Sequence, residues 1–191
     1  IDRWALNRFQ EIIRRVRDAY ERYQFHVAFY LLHNFCTVDL SALYLDVLKD
    51  RLYTAPADSR ERRSAQTAMM EILDGMTRLL APILAFTAEE IWTALPARPG
   101  KADSVHLTRF PEPKTQDPEA VALGERWKTL ITLRGEIAKA IETARQAKVI
   151  GHSLDAAVAL APPENLRPLL EGAREDLRTL LIVSQLDLVG T

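Results

Sequence analysis

The sequence is poor in the residues from which most catalytic sites are built. Cys36 is the single cysteine among 191 residues. That excludes an internal disulfide and any cysteine-based zinc site, and it fits a reducing compartment. The four histidines, at 26, 33, 106 and 152, are scattered. GxGxxG, GxxxxGK[ST], HExxH and GxSxG are all missing, so the dinucleotide, P-loop, metalloprotease and serine-hydrolase classes find no support. Neither sign of charge is in excess: the formal net charge is −1 and the pI about 6.5. No global basic field exists, and any anion-binding site must be a local patch. Charges also interrupt the apolar stretches before the roughly 18 residues expected of a membrane span, and no signal peptide opens the chain. The expectation is a soluble cytoplasmic protein.

What is present is a helical pattern. With 48% hydrophobic and 27% charged residues, the composition is globular, enough for one domain or a domain with a small appendage. Residues 2–23 read as an amphipathic helix with Phe9, Ile12, Ile13, Val16 and Tyr20 on one face and Asp2 as its N-cap. The opposite face carries Arg8, Arg15 and Arg22 with Arg14 and Arg17 beside them, and the pairs Glu11–Arg15 and Asp18–Arg22 make it self-neutralising. Residues 25–36 predict a second helix with Phe25, Phe29, Leu32, Phe35 and Cys36 buried. His33 lies three residues from Cys36, but without an orienting third group the cysteine reads as a small buried hydrophobe.

A break or kink at residues 37–39 precedes the most apolar helix, 38–53, where Leu40, Leu43, Tyr44, Val47, Leu48 and Arg51 recur at steps of three and four. Pro56 ends it. A capping box at Asp58–Glu61 opens the next helix, with Ala65, Met69, Ile72, Leu73, Met76, Leu79 and Leu80 as its stripe, and a second box at Thr87–Glu90 opens a short one that turns Trp92 inward. The neighbouring carboxylates Glu89 and Glu90 point in different directions on a helix and form no acid–base pair.

Residues 97–118 read as a proline-rich linker, with residues 104–110 extended against the bundle. After it, residues 119–191 form a long helix carrying Trp127, Leu130, Ile137, Ile141 and Ala144, stopped by Gly151, and then a small α+β appendage. Strands are expected at 156–161, 181–183 and 186–189, and helices at 164–173 and 175–180. The fold class is mainly α: a helical bundle over residues 1–96, the linker, and the appendage.

Three stretches carry a resemblance: DRWALNRF at 2–9, FHVAFYLLHNFCTVDLSALYLDVLKDRLY at 25–53 and LLAPILAFTAEEIW at 79–92. In order and spacing they resemble the anticodon-binding helical domain of bacterial-type isoleucyl-tRNA synthetases, of the class I aminoacyl-tRNA synthetases. Residues 133–160 resemble the segment that follows that domain, although Val149-Ile150-Gly151 recurs in valyl and leucyl relatives. The resemblance implies a mainly α module that recognises the stem and loop of isoleucine tRNA without catalysis. The synthetase's HIGH-type and KMSKS-type motifs and its editing domain are missing from this sequence, and one cysteine cannot supply the zinc module that ends many bacterial members. The start Ile1-Asp2-Arg3-Trp4, without an initiator methionine, agrees with a fragment of something longer.

As implied by the resemblance, ATP and magnesium belong to the absent catalytic domain, no cofactor or metal is held here, and the partners are tRNA and the rest of the synthetase, not membrane or DNA. Basic residues at helix ends are the candidates for RNA contact: Lys49, Arg51, Arg60, Arg62 and Arg63, with Arg134, Arg145 and Lys148 on the long helix. Arg60, Arg62 and Arg63 oppose the dipole of the helix they open, which points to an anionic partner, although solvent satisfies them as well. Near-zero net charge predicts weak RNA affinity for these residues alone. A valyl or leucyl specificity, or a helical protein-interaction domain, are the alternatives.

Overall fold

The computed structural model describes residues 1–115 and 117–190 and divides into two compact units, Asp2–Asp117 and a second from Pro118 onward. The first is a bundle. Helix α1, Asp2–Glu21, lays Phe9, Ile12, Ile13, Val16 and Ala19 into the core. Helix α2, Phe25–Asn34, continues through a π-helical stretch, Phe35–Leu45, into α3, Asp46–Thr54. Helix α4, Arg60–Leu80, and α5, Ala85–Ala94, complete it.

Of the break or kink expected at residues 37–39, the break is absent, and the helix instead widens into π turns there. The helix is unbroken from Phe25 to Thr54, and the π stretch absorbs a mismatch that a break would otherwise have to absorb. The buried residues of α2 and the start of the π stretch are Ala28, Leu32 and Phe35, and those further on are Leu43, Tyr44, Val47 and Leu48. At 3.6 residues per turn the two sets sit about a third of a turn apart. Wider π turns advance less per residue and bring both onto one side.

By length and composition alone, Phe25–Thr54 would cross a bilayer, against the expectation from charge spacing; Asp39 is the one Asp, Glu, Lys or Arg between Phe25 and Leu45. A core helix passes the same test. Here the stripe is packed in the bundle, and Asp39 accepts a hydrogen bond from Arg8 Nε at 3.1 Å.

Several local signals resolve differently from the sequence pattern. Asp2 lies inside α1, and its carboxylate joins a tertiary network instead of capping. Ser59, one residue later than expected, is the cap of α4 and accepts from Arg62 N at 3.3 Å. Helix α5 starts at Ala85, ahead of the second capping box. Glu89 is thereby free to accept from Ser104 Oγ (2.8 Å) and Val105 N (3.0 Å).

Those last bonds belong to a strap. Residues 96–115 form no long helix, as their prolines dictate, but they are fixed to the first unit and do not span freely as a linker. Trp92 Nε1 donates to Ala102 O at 2.8 Å, Arg78 and Arg98 both pair with buried Asp74, and Lys114 N donates to Gln10 Oε1 at 2.8 Å. Phe110 stacks on Tyr20 at 5.2 Å, and Arg17 donates to Pro111 O at 3.0 Å. Val105 sits with Ala81, Ala88, Trp92 and Leu95 in a small satellite core. Replacing Trp92 by Phe keeps the buried ring but orphans the Ala102 carbonyl. It is expected to cost about 1–3 kcal/mol and to speed amide exchange at Leu107 and Thr108, whose hydrogen bonds close the short turn beyond.

In the second unit helix α6, Pro118–Gln146, buries Trp127, Leu130 and Ile137. Its end is set by Lys148 (φ 59°), with Val149 N bonded to Ala144 O at 3.0 Å. A left-handed cap three residues early stops the helix, and Gly151 is not needed for it. Strands β1, Ala157–Leu160, and β2, Gln185–Leu188, pair in parallel with Ala157 opposite Gln185. Short helices α7, Arg167–Glu171, and α8, Arg174–Leu181, connect them. Residues 181–183, expected as a strand, instead end α8, with Ile182 in the left-handed region.

Candidate nucleic-acid interface

The eight basic candidates divide into three kinds. Arg51, Arg62 and Arg134 are engaged in structure. Arg51 donates to Asp2 Oδ2 at 3.0 Å, Arg62 to Ala55 O at 3.0 Å, and Arg134 Nε to Leu180 O at 2.9 Å. Lys49 and Arg145 are exposed but paired one turn away, with Asp46 at 2.8 Å and Glu142 at 2.8 Å. Arg60, Arg63 and Lys148 are exposed, and among the described residues their side chains have no partner. Arg60 and Arg63 share the first turn of α4; Lys148 belongs to the second unit.

On α1 the expected neutralising pairs are present, Arg15–Glu11 at 3.7 Å and Arg22–Asp18 at 2.9 Å. Arg8 bonds Glu11 as well as Asp39, and Arg17 is tied to the strap. Burial pushes the Asp39 carboxyl up, and the Arg8 guanidinium opposes that. Arg14 alone on this face is without a partner among the described residues.

The feature that periodicity misses is an aromatic ledge on α2. Phe25 and Phe29 are 51% and 50% exposed and Tyr30 is 67% exposed, where the pattern of phenylalanines reads as one buried stripe. The side chains that are buried are Ala28, Leu32 and Phe35, so Phe25, Phe29 and His33 run along the edge of that stripe. Phe29 stacks on His33 at 5.7 Å and meets Tyr30 at 5.6 Å in a T-shaped pair. At the root of the ledge Tyr20 packs on Phe25 and donates to Leu79 O at 2.7 Å; burial pushes its phenol up to about 12. The available signal is a count: Tyr23, Phe25, Phe29 and Tyr30, with His26 and His33, are more rings than one helix face can bury.

Exposed rings stack unpaired bases and unpaired arginines hold phosphates; Arg60 and Arg63 open α4, whereas the ledge lies toward its other end, where Tyr20 meets Leu79 O. Acid–base, metal and nucleophilic chemistry find less here. Burial pushes the Cys36 thiol up, away from a reactive thiolate. Among the described residues no group of three His, Cys, Asp or Glu side chains is placed to hold a metal.

The pattern defining the anticodon-binding domain of tRNA ligase matches residues 2–160. The chain belongs to that family. The anticodon-binding domain therefore accounts for all of the first unit and for α6 and β1 of the second. Among curated proteins it is similar to the isoleucine–tRNA ligase of Syntrophotalea carbinolica, 52% identical over 99% of this chain and 20% of the relative. The isoleucine–tRNA ligase of Moorella thermoacetica is 50% identical over 98% of this chain and 20% of its own length. That of Geobacter sulfurreducens is 45% identical over 99% and 20%. The chain thus spans about a fifth of the length of the curated relatives it matches.

Proposed function

We propose that this chain is the module of an isoleucine–tRNA ligase that holds the anticodon stem and loop of isoleucine tRNA. The parent enzyme attaches isoleucine to that tRNA at a catalytic domain elsewhere, using ATP and magnesium, in the cytoplasm. The residues described here position the RNA and perform no bond chemistry. Their partners are the tRNA and the remainder of the ligase, with no membrane or DNA involved.

The observation that carries this reading is the exposed aromatic ledge of Phe25, Phe29 and Tyr30 within a domain of the anticodon-binding family. Phosphate contacts position a nucleic acid and base contacts specify it. In this chain Arg60 and Arg63 supply cations for the first task and the ledge supplies stacking for the second.

Titration of the anticodon-arm hairpin of isoleucine tRNA, at several salt concentrations, is the test. Replacing Phe29 and Tyr30 together by Ala is expected to weaken binding by about 1–3 kcal/mol per stacked base. Reversing Arg60 and Arg63 to Glu is expected to flatten the salt dependence by about 0.7–0.9 for each phosphate no longer neutralised, with little change in thermal midpoint because neither side chain is paired. Equal, salt-insensitive affinity for an unrelated hairpin would end this reading.

A further inference from the structure

The corner between α1 and α2 has three features that packing does not explain. Tyr23 sits at φ 57°, closing α1 with Gln24 N bonded to Ala19 O at 2.8 Å. Glycine is the usual occupant of such a left-handed cap, because a Cβ is strained there. Burial does not offset that strain: the ring is 80% exposed and touches Phe25 edge-on, at 6.1 Å and 84°. The same left-handed cap closes α6 at Lys148, so the conformation is a helix stop; what is unusual at Tyr23 is a large ring left exposed on it.

Beside it runs a groove of about 430 Å³, within the range of small-ligand sites. Val27 and Leu31 give it an apolar lining, and Arg14, Arg15, Asp18 and Gln24 line the rest. Arg14 is unpaired among the described residues, Arg15 is held only loosely by Glu11 at 3.7 Å, and Asp18 is already neutralised by Arg22 at 2.9 Å. The groove is therefore net cationic.

The third feature is Gln24. Its backbone is fully used, the N–H by Ala19 O and the carbonyl by Val27 N and Ala28 N. Its carboxamide has no partner among the described residues. A glutamine amide presents a donor and an acceptor side by side, the pattern that reads a base edge in two hydrogen bonds.

Building on the tRNA reading above, we infer that this corner receives one unstacked nucleotide of the RNA loop. Its base lies over Val27 and Leu31 with its edge toward Gln24, Arg14 and Arg15 take the flanking phosphates, and the Tyr23 ring stacks the adjacent base. Tyr23 and Gln24 are then specificity-determining residues, distinct from the ledge of Phe25, Phe29 and Tyr30.

The test uses the 191-residue chain, the isoleucine anticodon-arm hairpin, and a set of hairpins made abasic at each loop position in turn. Tyr23→Gly is expected to keep or raise the thermal midpoint, since glycine adopts this φ freely, while affinity falls at least about fivefold. Gln24→Ala is expected to erase the penalty of the abasic site at one loop position and leave the others unchanged. Arg14→Gln with Arg15→Gln is expected to reduce the salt slope by about 1.4, two phosphates on a single strand. If Tyr23→Gly and Gln24→Ala bind every hairpin as the parent does, while Phe29→Ala with Tyr30→Ala does not, the corner is no base site although the domain still binds RNA. If the parent itself does not prefer the isoleucine hairpin, the functional reading fails and this inference fails with it.

Discussion

Asp2→Ala is expected to lower the unfolding free energy by about 3–5 kcal/mol, the loss typical when one partner of a buried ion pair is removed. Asp2 is 9% exposed. Its carboxylate accepts from Tyr44 Oη at 2.9 Å, Arg51 Nη1 at 3.0 Å and Ser64 Oγ at 2.6 Å. One side chain thus joins α1 to the π stretch, to α3 and to α4. Truncation would leave the Arg51 guanidinium half-buried without its partner and the Tyr44 hydroxyl, in a fully buried side chain, without an acceptor. Burial, with the Asp2 charge beside it, drives the Tyr44 phenol upward, so it stays a neutral donor at any working pH.

Asp2→Asn keeps an acceptor without the charge and is expected to lose less, about 1–2 kcal/mol. The readout is the urea midpoint at unchanged m-value. A loss under about 1 kcal/mol for the alanine variant would mean that water replaces the carboxylate, and that Arg51 is free for RNA after all.

The second large effect is expected at Gly75, buried in the middle of α4. A Cβ there would stand 2.6 Å from Phe9 Cε1 and 2.8 Å from Cζ. Phe9 cannot swing aside: it is 3% exposed and stacked on Phe35 at 5.5 Å. On an open helix surface Gly→Ala gains about 1 kcal/mol from propensity. At Gly75 the sign reverses, with Ala expected to cost about 1–3 kcal/mol and Val more, through forced displacement of the Phe9–Phe35 stack. Gly135 in α6 supplies the contrast, since nothing lies within 4 Å of its added Cβ. Gly135→Ala is expected to raise the thermal midpoint where Gly75→Ala lowers it.

The long helices were legible because a buried stripe repeats within each of them. Phe9, Ile12, Ile13 and Val16 mark α1, and Ala65, Ile72, Met76 and Leu79 mark α4. Local pattern fails where the deciding partner is far along the chain. Asp2 reads as a cap until Tyr44, Arg51 and Ser64 are seen around it. The prolines of residues 96–115 read as a linker because Trp92–Ala102 and Gln10–Lys114 are bonds between separate segments. Of the interface, charge alone identifies Arg60, Arg63 and Lys148 as cations at helix ends. It cannot separate them from Arg51, Arg62 and Arg134, whose donors are occupied by acceptors on other elements or in the preceding loop. The ledge escapes the pattern for a different reason: a period of three and four places Phe25 and Phe29 beside Leu32, but cannot say which edge of the stripe the neighbouring helices cover.

The π stretch from Phe35 to Leu45 makes the long helix a two-part key whose halves are cut at different angles. Excising a single residue there, Ser41 for example, would remove the surplus of about 100° that the wide turns absorb and let the stretch relax to α-helix with both halves on one side. Inserting one would instead carry Leu43, Tyr44, Val47 and Leu48 about 100° further from the side that holds Ala28, Leu32 and Phe35. Length across this stretch is therefore a constraint in its own right. A substitution within it alters one side chain's surroundings, whereas an added residue changes the direction in which the whole second half faces.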